Sequence, residues 1–383
     1  MYTFHRWKGH LPPRHAIKTG LASICSIQAE EMSSLRMKPA QFGAALAFLL
    51  VIALVGAAGY FKSRGGALLA PQLPDHDNGY YTTHPILGHA HLPDVTKAVL
   101  WEEYPGGRFE MVTNAHGFRE DTPTDLAPGN GVRRILVIGD SHTDGVVPNH
   151  QSFPNLVEEA LNSAGRNVEL LNLGTGYYGP DQYRRTLKAW GHLKPDAILV
   201  GLYLGNDPLD TLRAREAAGQ MAVPRPLDYY GSLNAAQEAL GPGLAQGMNQ
   251  LFLFHHQPDM QRRAIQYTLE AILALASDAA VAQVDLGVVM IPSKLTVEPQ
   301  TVDRSIQKTL EILDLSRAAL ANETALADEI RRGLEAHGIK IIDPTPYLKL
   351  CPTACYWEAD HHLSITGHLA ISEALLAHQS VFF

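Results

Sequence analysis

Five apolar runs separated by polar stretches of helical period organise most of the chain. RRILVIG (133–139), VELLNLG (168–174), PDAILVGLYLG (195–205), LGVVMIPSK (286–294) and IKIIDPTPYL (339–348) read as strands. Runs apolar on both faces of the pleat belong to a sheet that is covered on both sides. Between and after them, QSFPNLVEEALNSAG (151–165), PDQYRRTLKAWGHL (180–193), the stretch 303–337 and SITGHLAISEALLAHQ (364–379) carry a helical period. Strand and helix alternate, which predicts an α/β fold: a parallel sheet between two helical layers, with right-handed crossovers and ligands at the carboxyl ends of the strands. Residues 208–285 exceed a single connection and are mostly helical in period, with VPRPLDYYGS and GPGLAQG as breaks, so they predict a helical insertion or lid over the sheet edge.

A different pattern precedes the alternating part. GAALAFLLVIALVGAAGYF (43–61) is uncharged throughout, apolar on every face, and about as long as a bilayer core is thick at roughly 1.5 Å per residue. It divides the chain into an N-terminal tail (1–41), a transmembrane helix (42–61), a Gly- and Pro-rich linker (62–79) and a folded domain (80–383). A signal peptide starting at Met37, with Lys38 as its basic end and VGAAG as the cleavage region, is the alternative, and under both readings the folded domain is exported. Arg36 and Lys38 on one side balance Lys62 and Arg64 on the other, while the more distant Arg6, Lys8, Arg14 and Lys18 favour an N-terminus inside.

Composition narrows the picture further. With 383 residues, 46% hydrophobic and 18% charged, the chain is ordinary globular material. A net charge of −8, from 39 acidic and 31 basic residues, provides no chain-wide basic surface for a phosphate backbone, and nucleic acid is not an expected partner. The three cysteines are Cys25, before the apolar segment, and the pair Cys351 and Cys355 in CPTAC. A disulfide across that loop fits an oxidising compartment; a reduced pair is the alternative.

Four short stretches fall at carboxyl ends of predicted strands or just before a helix. In GDSHTDG, Ser141 follows the first strand on a glycine-flanked turn that exposes its hydroxyl. The plainer role for Asp140 and Ser141 is turn and cap hydrogen bonding. The spacing is not that of a G-x-S-x-G nucleophile elbow, since Gly145 lies four positions beyond the serine. NLGTGYYGPDQ (172–182) places glycines after the second strand, where a backbone amide can approach a reacting oxygen. YLGNDP (203–208) ends the third strand on Asn206, whose amide is a donor suited to an oxyanion, or else a cap. ADHHLSITGH (359–368) sets Asp360, His361 and His362 before the last helix. A serine hydroxyl becomes a nucleophile when an imidazole takes its proton and a carboxylate fixes the ring's tautomer, and Asp360 and His362 supply both groups. The same residues, or the histidines of HPILGHAH (84–91), are the alternative metal ligands, but their spacing matches no compact zinc signature, so neither a metal nor a cofactor is expected.

Taken in order, Gly-Asp-Ser, the second-block glycine, Gly-Asn-Asp and Asp-x-His-Leu-Ser resemble the SGNH (GDSL) hydrolase superfamily. HPILG, NAHGFRED and YGPDQYRRTLKAW look like its bacterial envelope branch, so the resemblance covers roughly Tyr80 to His378. It implies a three-layer α/β/α, flavodoxin-like fold. It also implies Ser141 as nucleophile with Asp360 and His362 completing the triad, and an oxyanion site formed by the Ser141 amide, Gly176 and Asn206. Two departures bear on those residues. The family pattern NLGxxGYG has its glycine where this chain has Tyr177, which leaves Gly176 or the Tyr177 amide as the donor. Only His361 separates Asp360 from His362, where many members have two residues; the HLS context favours His362 as base, with His361 as its rival.

The expected activity is ester hydrolysis through an acyl-enzyme on Ser141, acting on a small-molecule or glycan ester, with O-acyl groups of envelope glycans or lipids as the foremost substrates. A polysaccharide O-acyltransferase with the same triad is the alternative, and a catalytically silent carbohydrate-binding module is a third reading. The expected location is the bacterial inner membrane, single-pass, with the catalytic domain on the periplasmic side, or export after signal cleavage. The sequence sets no oligomeric state.

Overall fold

Three of the expected apolar runs become strands whose residues are almost entirely buried. The computed structural model describes residues 79–240, 245–298 and 303–382. The tail (1–41), the apolar segment (42–61), Cys25 and the 62–79 linker up to residue 78 lie outside the described residues. Two antiparallel hairpins come first, β1 (Tyr81–His84) with β2 (Gly88–His91) and β3 (Thr96–Leu100) with β4 (Arg108–Val112). The main sheet comes next: β5 (Arg133–Gly139), β6 (Val168–Asn172), β7 (Ala197–Tyr203), β8 (Asp285–Ile291) and β9 (Lys340–Ile342). All four pairings within it are parallel, in the order β6-β5-β7-β8-β9. Counted along the chain this is the 2-1-3-4-5 order of flavodoxin-like sheets.

Alternation along each strand builds a core on both faces, because successive side chains point to opposite sides of a sheet. Ile135, Val137, Leu199, Val289 and Ile291 pack on one face. Leu136, Ile138, Ile198, Val200, Leu202, Val288 and Met290 pack on the other. The helices that cover these faces are best placed in chain order: α1 (Ser141–Asp144), α2 (Phe153–Ser163), α3 (Pro180–Tyr183), α4 (Thr186–Trp190), α5 (Asp207–Ala217), α6 (Tyr229–Leu240), α7 (Ala245–His256), α8 (Pro258–Ala282), α9 (Lys294–Val297), α10 (Asp303–Ile312), α11 (Ala321–Glu335), α12 (Thr345–Leu348) and α13 (Ile365–Ala377). α2 and α13 cover the first face, through Phe153, Val157 and Leu161 and through Ile371, Ala374 and Leu375. α8 and α11 cover the second, through Ile265, Ile272 and Leu275 and through Leu326, Ile330 and Leu334. Each Val, Leu, Ile or Phe side chain among these contributes about 1.5–3 kcal/mol when withdrawn from water.

Four elements differ from their sequence reading. Residues 180–193 form two short helices and a 3₁₀ turn, Gly191–Leu193, rather than one helix. The 303–337 helix is broken between α10 and α11, where Asp314 takes a left-handed φ of 52° and another 3₁₀ turn intervenes. Of 339–348 only Lys340–Ile342 pairs; Pro344 ends the run and the chain turns into α12. Within 208–285, α8 is the crossover helix between β7 and β8: Ala264, Ile265, Thr268, Ala271, Ile272, Leu275 and Ala279 form its buried stripe. By length and composition α8 is the one helix among the described residues apolar enough to cross a membrane, and that stripe faces the core.

The strand order matters for the site. From β5 the chain moves to β6 on one side and then to β7 on the other, so the carboxyl end of β5 is the switch point, where ligands of open α/β sheets bind. Gly139, Asp140 and Ser141 occupy it.

Candidate active site

Glycines let α1 fit against the strand ends. A Cβ on Gly139 or Gly201 would collide with the Thr143 side chain, and one on Gly174 would strike the backbone of Thr143 and Asp144. Asp140 caps the turn, its Oδ1 accepting the His142 N–H at 2.9 Å. Ser141 is therefore the first residue of α1. A first-turn N–H has no partner within the helix, so the Ser141 amide is a donor at the crevice.

The last block arrives from the far side of the sheet. Ser364 caps α13, its Oγ accepting the Gly367 N–H at 3.3 Å, and the loop before it carries Asp360 and His362. His362 Nε2 lies 2.8 Å from Ser141 Oγ, although 221 positions separate the two in sequence. Its Nδ1 donates to Asp360 Oδ1, which also accepts the His362 amide at 2.7 Å. With Nδ1 protonated, Nε2 accepts the Ser141 hydroxyl. The His361 ring lies tilted beside this one, with centroids 4.2 Å apart, and it is the second histidine, His362, that meets the serine. Ligand atoms of Asp360, His361 and His362 lie within 4.8 Å of one another, a spacing a metal ion fits. In the observed arrangement, however, both ring nitrogens of His362 are engaged by Asp360 and Ser141, which leaves that ring no lone pair for a metal.

Charge around the imidazole favours its protonated form. Burial acts against the imidazolium, but Asp360, and more remotely Asp140 and Asp144, outweigh it, so the His362 pKa is raised above its ordinary 6.5. Burial likewise acts to raise Asp360, and His362 and His361 overcome it, holding the carboxyl well below the usual carboxylate range. Asp140 goes the other way: burial pushes it up to about 7 despite its bond from the His142 amide and the nearby His362. Asp207 is also raised, by burial and then by Asp140 and Asp210; Tyr183 Oη donates to it at 3.0 Å and the Tyr203 N–H at 2.9 Å.

Asn206 and the loop 174–178 flank the serine turn. Asn206 Nδ2 donates to Asp210 Oδ2 at 2.9 Å, which fixes the amide and leaves its second N–H free to donate. The Thr175 N–H donates to Gly139 O at 3.1 Å, laying the loop along the end of β5. The Gly176 carbonyl accepts from His89 Nε2 at 2.8 Å, and Tyr178 Oη donates to His89 O at 2.5 Å, so β2 braces this loop. Tyr177, 61% exposed, has a φ of 67°: a non-glycine residue in the left-handed region, at the position where the NLGxxGYG pattern has glycine.

Several residues that support the site had no role in the sequence reading. Fully buried Arg119, from NAHGFRED, donates to Asn149 Oδ1 (2.8 Å), Asp144 Oδ1 (2.6 Å) and the carbonyls of Asp144, Gly145 and Val147 (2.7–3.0 Å). Asp144 also contacts His91 Nε2 at 3.2 Å; burial acts to raise its carboxyl, and His91 and Arg119 bring it below its ordinary value instead. Asn172, at the end of β6, donates to Thr143 O at 3.1 Å and accepts the Gly174 N–H at 3.0 Å, joining the serine turn to the glycine loop. NAHGFRED, HPILGHAH and NLGTGYYGPDQ carry these residues, but the sequence did not show whom Arg119, His91 and Asn172 meet on the serine turn, because those partners lie 25 to 53 positions away. Cys351 and Cys355 are disulfide-bonded, with Cα atoms 6.1 Å apart, and the Cys355 carbonyl accepts the Ser364 N–H at 2.9 Å below the histidine loop.

The chain matches no family model and no curated protein. Among solved structures it is similar to the acetylxylan esterase Axe2 of Geobacillus stearothermophilus, with 13% identity, coverage of 67% of this chain and 96% of that one, and a TM-score of 0.39. The psychrotrophic esterase EstA of a Pseudoalteromonas species gives 11% identity, 65% and 97% coverage, and a TM-score of 0.38. A GDSL-like lipase of Bacteroides thetaiotaomicron gives 13%, 66% and 90%, and 0.36.

Proposed function

We propose that this protein is a serine esterase of the SGNH type, which forms an acyl-enzyme on Ser141. The observation that carries this reading is the continuous hydrogen-bond chain from Ser141 Oγ through His362 to Asp360, set at the switch point of the sheet. Ser141 Oγ attacks the ester carbonyl as its proton passes to His362 Nε2, and Asp360 holds the ring and the imidazolium charge. The carbonyl oxygen becomes the oxyanion, received by the Ser141 amide, the free N–H of Asn206 and a backbone amide of the 174–178 loop, from Gly176 or Tyr177. His362 returns the proton to the leaving alcohol as the C–O bond breaks. Water then gives a proton to His362, attacks the acyl carbon, and the acid departs with Ser141 restored.

The substrate in this reading is an O-acyl ester of an envelope glycan or lipid, met outside the cytoplasm by a domain tethered through the 42–61 segment or released after its cleavage. The Cys351–Cys355 disulfide supports an oxidising location. The test is turnover of a short-chain aryl ester by the full chain. Ser141→Ala is expected to abolish it, and His362→Ala to reduce kcat about a thousandfold or more. Wild-type rates in both variants would refute the reading. Free acid as the product in the presence of a glycan acceptor assigns hydrolysis; acylated glycan in its place assigns acyl transfer.

A further inference from the structure

The peptides just before Asp360 are gripped by two charged side chains from remote parts of the chain. Glu103, in the turn joining β3 to β4, accepts the N–H groups of Glu358 at 2.5 Å and Ala359 at 2.9 Å on its two carboxylate oxygens. Lys294, the first residue of α9 and only 6% exposed, donates Nζ to the carbonyls of Trp357 at 2.5 Å and Glu358 at 3.1 Å. Glu358 thus has its N–H on one charge and its C=O on the other. The loop closes on itself through the Trp357 N–H, which donates to His362 O at 3.0 Å. Trp101, from the same turn as Glu103, meets Trp357 edge to face, with centroids 6.2 Å apart.

Nothing in the proposed chemistry requires these two residues to touch substrate. A buried ammonium is costly to desolvate, and a lysine spent on peptide carbonyls in the interior calls for a return. Their geometry supplies one: the segment they hold ends at Asp360, whose carboxylate accepts both the His362 amide and its Nδ1–H. A displacement of about 1 Å at a reacting group costs on the order of a hundredfold in rate. We propose that Glu103 and Lys294 are positioning residues that clamp the 357–359 segment, so that Asp360 and His362 present Nε2 to Ser141. This inference rests on the triad reading above. It also assigns the β3–β4 hairpin a task, carrying one jaw of the clamp to the catalytic loop.

The test uses the full chain carrying Glu103→Ala, Glu103→Gln or Lys294→Met, each checked for cooperative unfolding. For aryl ester turnover, kcat is expected to fall about 10- to 100-fold in Glu103→Ala and Lys294→Met with KM little changed, since the clamp does not meet substrate. Glu103→Gln, which keeps an acceptor for one of the two N–H groups, is expected to recover part of that loss. A second readout is the imidazole titration of His362, followed by NMR of histidine-labelled protein and assigned with His362→Gln. Asp140, Asp144, His142 and His361 also face this ring and are unchanged in every variant. Release of the clamp loosens Asp360 from His362, so the titration midpoint shifts down, and it shifts less in Glu103→Gln. An unchanged kcat and an unmoved midpoint in either folded variant would overturn the proposal, and if one variant does not fold the other decides. A wild-type chain without Ser141-dependent turnover would instead sink the triad reading, and the His362 titration would still report whether the clamp sets the ring.

Discussion

In the proposed mechanism, two demands on His362 pull in opposite directions. As a base it must be neutral to accept the Ser141 proton, yet the Asp360 carboxylate that orients it also stabilises its cation and raises its pKa above 6.5. Activity therefore rises with pH as His362 loses its proton, and the acid limb of kcat/KM lies above 6.5 rather than at it. In Asp360→Asn the carboxylate is gone, so the limb is expected to shift to lower pH while kcat drops roughly 10³- to 10⁴-fold, because the tautomer is no longer fixed. A limb that stays in place in this variant would mean that another group sets it. Ser141 stood out in the sequence as a polar residue at a strand end that cannot extend a core, and Asp360 and His362 as an acid and an imidazole on the loop before the last helix. Tyr177 was readable as an irregularity, but its left-handed backbone was not, because no pattern of neighbours dictates that φ.

At the scale of elements, hydrophobic runs predicted the central strands closely: the reading 133–139 coincides with β5, and 195–205 overhangs β7 by two residues at each end. Strands buried on both faces leave a strong signal. The two hairpins left none, since β1 and β2 are four residues each and rich in histidine and threonine, and their packing partners are supplied by tertiary contacts. Yet it is this N-terminal region that braces the site, through His89 on the Gly176 carbonyl and His91 on Asp144. Arg119 does most to join the two parts. In Arg119→Met the Asp144 carboxylate loses its strongest hydrogen-bond donor while remaining buried, and removal of one partner of a buried pair costs about 3–5 kcal/mol. A thermal or denaturant melt at neutral pH is the measurement, and a loss below about 1 kcal/mol would show that His91 and water compensate for it.

The molecule as a whole places four sequence-distant blocks around one crevice, and it does so by strand order. Because β5 is central and the chain switches sides there, the ends of β5, β6 and β7 converge, bringing Ser141, the 174–178 loop and Asn206 side by side. The C-terminal loop then reaches them from beyond β9. This convergence was legible as soon as alternating strands and helices were recognised, whereas the clamps were not. Glu103 and Glu358, or Lys294 and Trp357, are paired only by folding, at separations of 255 and 63 positions. The central claim is that Ser141 is an activated nucleophile. The most direct measurement is the mass of the intact chain after a fluorophosphonate, followed by mapping of the modified peptide. One phosphonyl group per chain on Ser141, absent in Ser141→Ala and slowed in His362→Ala, is the predicted result; an unmodified chain, or a label on another residue, would contradict the account.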